Sequence, residues 1–296
     1  MNTLAYASWD VSPYLVRVGS CGLRYYSVLF VLSLFAGFLL WRWQARRGGL
    51  DNRVTYSFAT WAIVATIVGA RLGHCLFYQP AYYLSHPVHI LKVWQGGLAS
   101  HGAIIGITLA VILFARSRGF GILEIYDRFS FSVTAGAAGV RLGNLFNSEI
   151  VGLPSSLPWA ITYPRYEAQP IPRHPTQLYE FVLGLAVLGA LVALDRRAGR
   201  EDRPRGLLTG SAFVMYFTGR FLVEFFKEPI IRIGWLSIGQ WLSVPGIMGG
   251  VAVLIWMRRQ PPTSVGKNAA AAGPQSGESG NSSTPSAPNR RVDGAT

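Results

Sequence analysis

Seven stretches of the chain consist mainly of apolar residues and contain few charges. Each stretch is long enough to cross roughly 30 Å of hydrocarbon as an α-helix. The pattern therefore predicts an all-α integral membrane protein with seven transmembrane helices. The predicted spans cover residues 23–43, 56–78, 97–115, 123–146, 176–194, 208–226 and 238–257.

The overall composition supports a membrane protein. Half of the residues are apolar, only 14% are charged, and nine are tryptophan. Soluble domains carry about 25% charged residues. The net charge of +13 would indicate nucleic-acid binding in a soluble protein. Here most of the excess lies in short loops, where it reports membrane topology instead. We therefore expect no nucleic-acid partner.

The distribution of basic residues predicts the orientation in the membrane. Loops that follow the first, third, fifth and seventh spans contain sixteen of the 27 Lys and Arg residues, and the opposite loops contain seven. Basic loops remain in the cytoplasm. The N-terminus should therefore lie outside and the C-terminus in the cytoplasm.

The segments outside the spans predict the domain organisation. The outer loops at residues 79–95 and 148–175 are long and rich in Pro and aromatic residues, which predicts a small extracytoplasmic cap. The alternative is an interfacial aromatic belt. Residues 1–259 would form one seven-helix catalytic domain in the membrane. Residues 260–296 are rich in Pro, Ser, Ala, Gly and Asn, which predicts a disordered cytoplasmic tail.

Three predicted spans each carry one arginine that lies one or two residues after a glycine: Arg71, Arg141 and Arg220. All three lie in the outer half of outward-running spans, at a similar depth. A guanidinium inside a membrane costs about 2.5–3.5 kcal/mol by insertion scales, and is tolerated next to a partner, water or an anion. The arginines therefore predict a site for a negatively charged group. His101, at the outer end of the third span, either belongs to this site or is a packing residue.

Polar residues at the outer ends of the fourth and fifth spans extend the candidate site. Asn144, Asn147 and Glu149 closely follow Arg141. They either cap the end of the fourth helix or supply hydrogen bonds to a polar headgroup. Thr176 opens the fifth span and is the predicted N-cap of that helix.

Two further charged pairs have helical spacing. Tyr216 and Glu224 lie one turn before and one turn after Arg220, on the same face of the sixth helix. A self-neutralising Arg220–Glu224 pair is the purely structural alternative to a ligand site. Near the start of the fourth span, Arg128 is expected at the membrane interface, with Glu124 one turn before it.

Several short motifs together resemble one known family, the prolipoprotein diacylglyceryl transferases. Residues 97–102, 174–180 and 219–224 look like three of its motifs and occur in the family's order, and the resemblance covers roughly residues 20–258. The family signature is matched by Arg141-Leu142-Gly143-Asn144, then Asn147, Glu149 and Gly152. The chain departs from the family pattern at Gln95, Ala103, Val140 and Leu145.

The resemblance implies an enzyme of the bacterial inner membrane whose active site faces the outer leaflet. Such an enzyme transfers the diacylglyceryl group of phosphatidylglycerol to the lipobox cysteine thiol of a prolipoprotein signal peptide. The products are a thioether-linked lipid and glycerol phosphate. The reaction requires no metal or organic cofactor.

The same resemblance gives roles to the candidate residues. Arg141 binds phosphatidylglycerol, and Arg220 stabilises the phosphate leaving group. His101 is the candidate base for the thiol, whose unperturbed pKa is about 8.5. The remaining substrate-binding candidates are Asn144, Asn147 and Glu149 around the headgroup, with Arg71, Tyr216 and Glu224 in second rank.

Two other classes of function compete with this interpretation. A polytopic anion or lipid transporter could use Arg71, Arg141 and Arg220 as a substrate filter, although inverted repeats and a midplane site would then be expected. An intramembrane protease is the third class. Ser100 and His101 are adjacent in sequence, however, and cannot form a nucleophile–base pair on a regular helix.

Overall fold

The computed structural model describes residues 6–19, 21–93, 96–97, 99–229 and 231–260. Gln95 and the predicted tail beyond residue 260 lie outside these residues. Each of the seven predicted spans coincides with one long helix. In chain order, including one short helix, they are α1 (Tyr25–Arg47), α2 (Asn52–Phe77), α3 (Pro80–Ser85), α4 (Ser100–Ser117), α5 (Ile122–Phe146), α6 (Thr176–Arg197), α7 (Leu207–Val223) and α8 (Ile238–Arg259).

The helices have the character of membrane spans. Four of them, α1, α2, α6 and α8, are long and apolar enough to cross a membrane, and α4 contains a shorter apolar helix. Large apolar side chains remain exposed along the bundle, for example Val31, Val182 and Leu242, each at 60% or more. Exposed apolar surface of this extent marks contact with lipid rather than water. The chain is therefore a mostly helical membrane protein.

Glycines permit the closest approach between helices, at α2 and α4. Gly69 and Gly73 of α2 face Gly102 and Gly106 of α4, and both pairs have the spacing of a small-residue contact motif. A Cβ atom at Gly73 would lie 2.6 Å from the Cα of Gly102. No side chain fits there, because backbone opposes backbone. This contact places the start of α4 against the end of α2.

Helix α1 lies antiparallel to α5 along most of its length. Gly143, near the end of α5, touches the ring of Tyr26, near the start of α1. Midway along the pair, the Ser132 hydroxyl donates to the Gly37 carbonyl at 2.7 Å. The end of α1 therefore reaches the start of α5, and its first turns lie beside the end of α5.

A buried charged residue connects the start of α5 to the start of α7. Asp127 is fully buried and accepts hydrogen bonds at 2.8 Å from the backbone N–H groups of Gly206 and Thr209. These N–H groups belong to the first turn of α7 or precede it, where no intrahelical partner exists. A carboxylate from α5 thus caps the start of α7, and a negative charge is favourable at that helix end.

The predicted position of Arg128 at the membrane interface stays a prediction, because burial inside the protein does not report depth in the membrane. Arg128 is fully buried, with its Nη2 2.8 Å from a carboxylate oxygen of Glu201. Its Nη1 donates to the Gln44 carbonyl at 2.9 Å. The predicted proximity to Glu124 is confirmed, at 3.6 Å. Arg128 is buried because the end of α1 and the segment after α6 cover the start of α5.

The loops at the opposite end fold together into a cap. Arg173 is buried and donates to Glu167 through Nε at 2.9 Å and to Glu228 through Nη1 at 2.9 Å. The hydrogen bonding of Arg173 to Glu167 holds the pKa of Glu167 below its usual value. The cap contains two-residue to five-residue strands that the sequence did not predict: β1 (Ala7–Ser8) with β4 (Ile161–Thr162), β2 (Tyr14–Val18) with β3 (Cys21–Arg24), and β5 (Arg232–Ile233) with β6 (Leu236–Ser237).

Candidate active site

A buried glutamate on α6 brings two of the predicted arginines together. Glu180 is 1% exposed and lies between α5 and α7. Its Oε2 is 2.7 Å from Nε of Arg141, and its Oε1 is 3.3 Å from Nη1 of Arg220. One carboxylate thus positions two guanidinium groups from two other helices. The ion pairs also offset the cost of burying the glutamate charge.

A lysine completes this charged cluster. Lys227 follows α7, and its Nζ lies 2.8 Å from Glu180 and 3.1 Å from Glu224. The side chain of Ser237 donates to Glu224 at 2.9 Å. Three cations, Arg141, Arg220 and Lys227, therefore share two carboxylates. In their ionised forms these five side chains carry one more positive than negative charge.

The two arginines remain accessible to a ligand. The side chains of Arg141 and Arg220 are 15% and 22% exposed, whereas that of Glu180 is 1% exposed. Each guanidinium has five N–H donors in a planar fork, and the contacts to Glu180 occupy only part of them. The remaining donors suit the oxygens of a phosphate group, which arginine binds in a bidentate manner.

The asparagine cluster connects directly to Arg141. Nη1 of Arg141 donates to Oδ1 of Asn144 at 3.3 Å, and the amide of Asn144 donates to Glu149 at 2.7 Å. Asn147 also donates to Glu149, at 3.1 Å, and is the C-cap residue of α5. The backbone conformation is strained directly after this cap, where Ser148 has a φ of 52°. Capping and side-chain hydrogen bonding are thus combined in one polar turn.

The predicted Arg220–Glu224 ion pair is wrong, because Arg220 pairs with a different glutamate. Glu224 pairs with Lys227 and Ser237, while the acidic partner of Arg220 is Glu180 on the neighbouring helix. Helix α7 ends at Val223, and Glu224 begins a 3-10 turn in which the regular helical spacing is lost. Tyr216, one turn before Arg220, is partly buried and packs against the apolar cluster that contains Val187 and Leu191.

Arg71 has different surroundings from the other two arginines. It is 3% exposed and donates to the carbonyls of His89, Ile90, Gly96 and Gly97 at 2.5 to 3.3 Å. Its guanidinium also lies over the ring of Tyr83. Gly96 and Gly97 have φ values of +85° and +74°, which favour glycine. Arg71 therefore holds the loop before α4 in place.

His101 lies on α4, apart from the Glu180 cluster. Its exposed ring is stacked on Tyr78 at 5.7 Å between centroids and meets Phe77 edge-on at 5.4 Å. Within the described part of the chain, no hydrogen bond or ion pair joins His101 to Arg141 or Arg220. The structure thus places the histidine on the α2–α4 pair, and the arginines on α5 and α7.

Sequence reasoning missed two residues of this region and misassigned a third. Glu180 and Lys227 were not proposed as site residues, although an acid inside an apolar span was a usable signal for Glu180. The N-cap prediction for Thr176 is wrong, since Pro175 occupies that position and Thr176 donates to the Ile150 carbonyl at 2.8 Å. His174 precedes this turn, contacts Phe226, and burial lowers its pKa.

The chain is similar to known proteins of one family. The family model for prolipoprotein diacylglyceryl transferase matches residues 13–256. A phosphatidylglycerol–prolipoprotein diacylglyceryl transferase of Chloroherpeton thalassium is 41% identical over 265 residues, which is 88% of this chain and 97% of the relative. A protein of the same name from Tolumonas auensis is 36% identical, over 83% of this chain and 96% of the relative. Another from Bordetella avium is 38% identical, over 84% of this chain and 95% of the relative. The chain belongs to the prolipoprotein diacylglyceryl transferase family.

Proposed function

We propose that this protein is a transferase that moves the diacylglyceryl group of phosphatidylglycerol to the lipobox cysteine thiol of prolipoproteins. The observation that carries the proposal is the pair Arg141 and Arg220, held on one buried carboxylate with donors still accessible. An anionic phosphodiester is the kind of group this pair can bind. The family relationship supports the same reaction.

The reaction is a substitution at carbon. The thiolate sulfur attacks the carbon of the diacylglycerol half that carries the phosphate ester. A C–S bond forms, and the bond between that carbon and the phosphate oxygen breaks. The electron pair of that bond leaves with glycerol phosphate, which gains a negative charge. Arg220, in the last turn of α7, is proposed to stabilise this charge, while Arg141 binds the phosphate before the reaction. No metal or organic cofactor takes part.

The neighbouring side chains have supporting roles in this proposal. Asn144, Asn147 and Glu149 form a hydrogen-bonded turn beside Arg141, which suits binding of the polar headgroup. The remaining substrate-binding candidates, of lower priority, are Arg71, Tyr216 and Glu224. Arg71 holds the outer loop in place, and Glu224 forms an ion pair with Lys227.

His101 is proposed as the base that accepts the thiol proton. Its ring is exposed beside Phe77 and Tyr78, at the outer end of α4. A cysteine arriving at this end of the bundle would therefore meet the histidine on one side and the lipid headgroup on the other. The proton moves from sulfur to an imidazole nitrogen as the C–S bond forms.

The proposal includes a membrane arrangement. All seven long helices cross the bacterial inner membrane, with the N-terminus outside and the C-terminus in the cytoplasm. The active site then faces the outer leaflet under an extracytoplasmic cap. Residues 1–259 form the catalytic domain and residues 260–296 a cytoplasmic tail. The excess of Lys and Arg in one set of loops supports this orientation.

A reconstituted assay tests the proposed function. The purified full-length protein is incubated with phosphatidylglycerol and a lipobox peptide, and the peptide is weighed by mass spectrometry. We expect a mass gain of one diacylglyceryl group and an equal amount of glycerol phosphate. A peptide with serine in place of cysteine should gain nothing. An unchanged cysteine peptide, with folded protein and both substrates present, would contradict the proposal.

A further inference from the structure

A basic groove lies at the far end of α1 from the candidate active site. Leu39, Arg42, Trp43, Arg46 and Arg47 line an open cavity of about 480 Å³. Their spacing along the chain places all five side chains on one face of the helix. We refer to this cavity as the α1 groove.

One wall of the α1 groove is rigid. The guanidinium of Arg47 lies 4.9 Å from the ring centroid of Trp43 and is paired with Asp195 on α6 and with Glu201. Trp43 in turn meets the ring of Phe131 on α5 edge-on at 5.6 Å. The indole and one guanidinium are therefore held in place before any ligand binds.

The other two arginines of the groove lack acidic partners. Among the described residues, neither Arg42 nor Arg46 has a side-chain hydrogen bond or ion pair, and Nε of Arg42 is buried without a partner. This contrasts with Arg128 and Arg203 nearby, which are buried against carboxylates. Two uncompensated guanidinium groups beside an indole form a site that an anion would satisfy.

The apolar surface next to the groove indicates that the anion is attached to hydrocarbon. Leu39 is 43% exposed, and Phe35 and Leu32 continue its face of α1 with 57% and 54% exposure. An exposed apolar surface thus runs from the arginines along the outside of α1 toward the middle of that helix. A phosphate group could bind at Arg42 and Arg46 while an acyl chain lies along this surface.

The groove is separate from the proposed catalytic machinery. Helix α1 is antiparallel to α5, and Tyr26 at its start touches Gly143, two residues from Arg141. Arg42 and Arg46 lie 16 and 20 positions further along α1, which corresponds to about 24 to 30 Å. The groove therefore opens at the opposite leaflet of the membrane.

We propose that the α1 groove binds an anionic phospholipid of that leaflet, which is the cytoplasmic leaflet in the proposed orientation. Basic pockets at the cytoplasmic surface suit anionic headgroups, and Trp43 has the amphipathic ring that favours the membrane interface. Orientation signals alone require arginines but no cavity. Arg258 and Arg259 at the end of α8 serve as the comparison, since both are exposed and neither lines the groove.

The test compares two double variants with the same charge change. Arg42→Gln with Arg46→Gln removes the groove cations, and Arg258→Gln with Arg259→Gln is the control. Delipidated proteins are titrated with phosphatidylserine, and bound lipids are counted by native mass spectrometry. We expect the groove variant to bind one tight lipid fewer, with affinity at that site roughly 30-fold lower, since each basic residue contributes about 1 kcal/mol at a lipid surface. Equal binding by both variants would overturn the proposal.

Two further arms fix the class of ligand. Phosphatidylcholine should not distinguish the two double variants, because its headgroup has no net charge. Glycerol phosphate should not displace phosphatidylserine from the wild-type groove, since it has no acyl chain to lie along Leu39 and Phe35. Displacement by glycerol phosphate would reduce the groove to an ion site and overturn the lipid assignment. Folding is checked by diacylglyceryl transfer, which should stay within about twofold of wild type because Arg42 and Arg46 lie about 24 to 30 Å along α1 from the turn beside Arg141.

Discussion

Arg141 on α5 and the buried Glu180 on α6 form an ion pair, with 2.7 Å between Nε and Oε2. The second carboxylate oxygen of Glu180 lies 3.3 Å from Arg220 and 2.8 Å from Lys227. The glutamate therefore fixes the relative position of one cation from α5 and two from the end of α7 and the turn after it. In the proposed reaction it acts as a positioning residue and never touches the substrate.

This role predicts a specific kinetic effect of Glu180→Gln. Glutamine keeps the volume but removes the charge, so the three cations repel one another and shift. A displacement of about 1 Å from productive geometry can cost about 10²-fold in rate. We expect kcat to fall by about that factor while KM for phosphatidylglycerol does not rise, because the site becomes more positive. Both constants are measured with the peptide assay.

The matched control for this variant is Glu167→Gln in the cap. Glu167 also pairs with a buried arginine, Arg173, at 2.7 Å, but at a distance from the reacting groups. Its loss should lower thermal stability slightly and leave kcat near the wild-type value. A Glu180→Gln protein that is merely less stable, with unchanged kcat, would show that the glutamate is only structural.

The long helices and two arginines were predictable from sequence because their signals are local. A continuous apolar run defines a helix in the membrane, and a charge inside such a run is rare. The partner of Arg220 was not predictable in this way. Glu180 lies 40 residues away in sequence, and only the packing of α6 between α5 and α7 brings the two together.

The sequence pattern around Arg71, Arg141 and Arg220 is similar, whereas their surroundings in the structure differ. Arg71 donates to backbone carbonyls of the loop that precedes α4. Backbone carbonyls are present in every loop, so the residue types there give no indication of which carbonyls face an arginine. The burial of Arg128 escaped prediction for a related reason, since it depends on contacts with the end of α1.

His101→Asn separates the chemistry from lipid binding. Asparagine keeps similar bulk and one hydrogen bond but cannot accept a proton near neutral pH. Loss of a general base costs about 10²–10⁴-fold in rate, so we expect turnover to fall strongly while affinity for phosphatidylglycerol changes little. Raising the pH toward the thiol pKa of about 8.5 should partly restore the rate, because more thiolate forms unaided.

The measurement for His101 is the initial rate between about pH 6.5 and 9, a range that brackets the ordinary imidazole and thiol pKa values. Lipid binding is measured over the same range. Identical pH profiles for the variant and the wild type would remove His101 from the catalytic role. Arg141 and Arg220 would then act on a thiolate that forms without help.

The contact between α2 and α4 predicts a large effect of one added methyl group. A Cβ atom at position 102 would lie 2.7 Å from the Cα of Gly73. Gly102→Ala should therefore destabilise the protein by about 1–3 kcal/mol, as in other overpacked contacts. Gly189→Ala is the control, since no atom lies within 4 Å of a Cβ there. Equal melting temperatures for both variants would contradict the close approach of the two helices.

The proposed topology predicts opposite locations for two reporters. A reporter fused after Gln260 should be cytoplasmic, and one inserted near Ser155 should be extracytoplasmic, because Lys and Arg are concentrated in the loops on the side of Gln260. The two locations are read from the activity of compartment-specific reporter enzymes. Finding both on one side would remove a span and separate the cap from the outer surface.

The central claim is that the planar guanidinium of Arg141 binds the phosphate of phosphatidylglycerol through two parallel hydrogen bonds. The variant Arg141→Lys tests this claim most directly. Lysine keeps the charge but cannot present two parallel donors. Loss of one such donor typically costs about 10²–10³-fold in rate. The decisive measurement is the rate of diacylglyceryl transfer by Arg141→Lys, with the exposed Arg165→Lys as control. The account predicts a loss of at least about 100-fold for Arg141→Lys and a near-normal rate for the control. A near-normal rate for Arg141→Lys would show that a point charge suffices and would contradict the account.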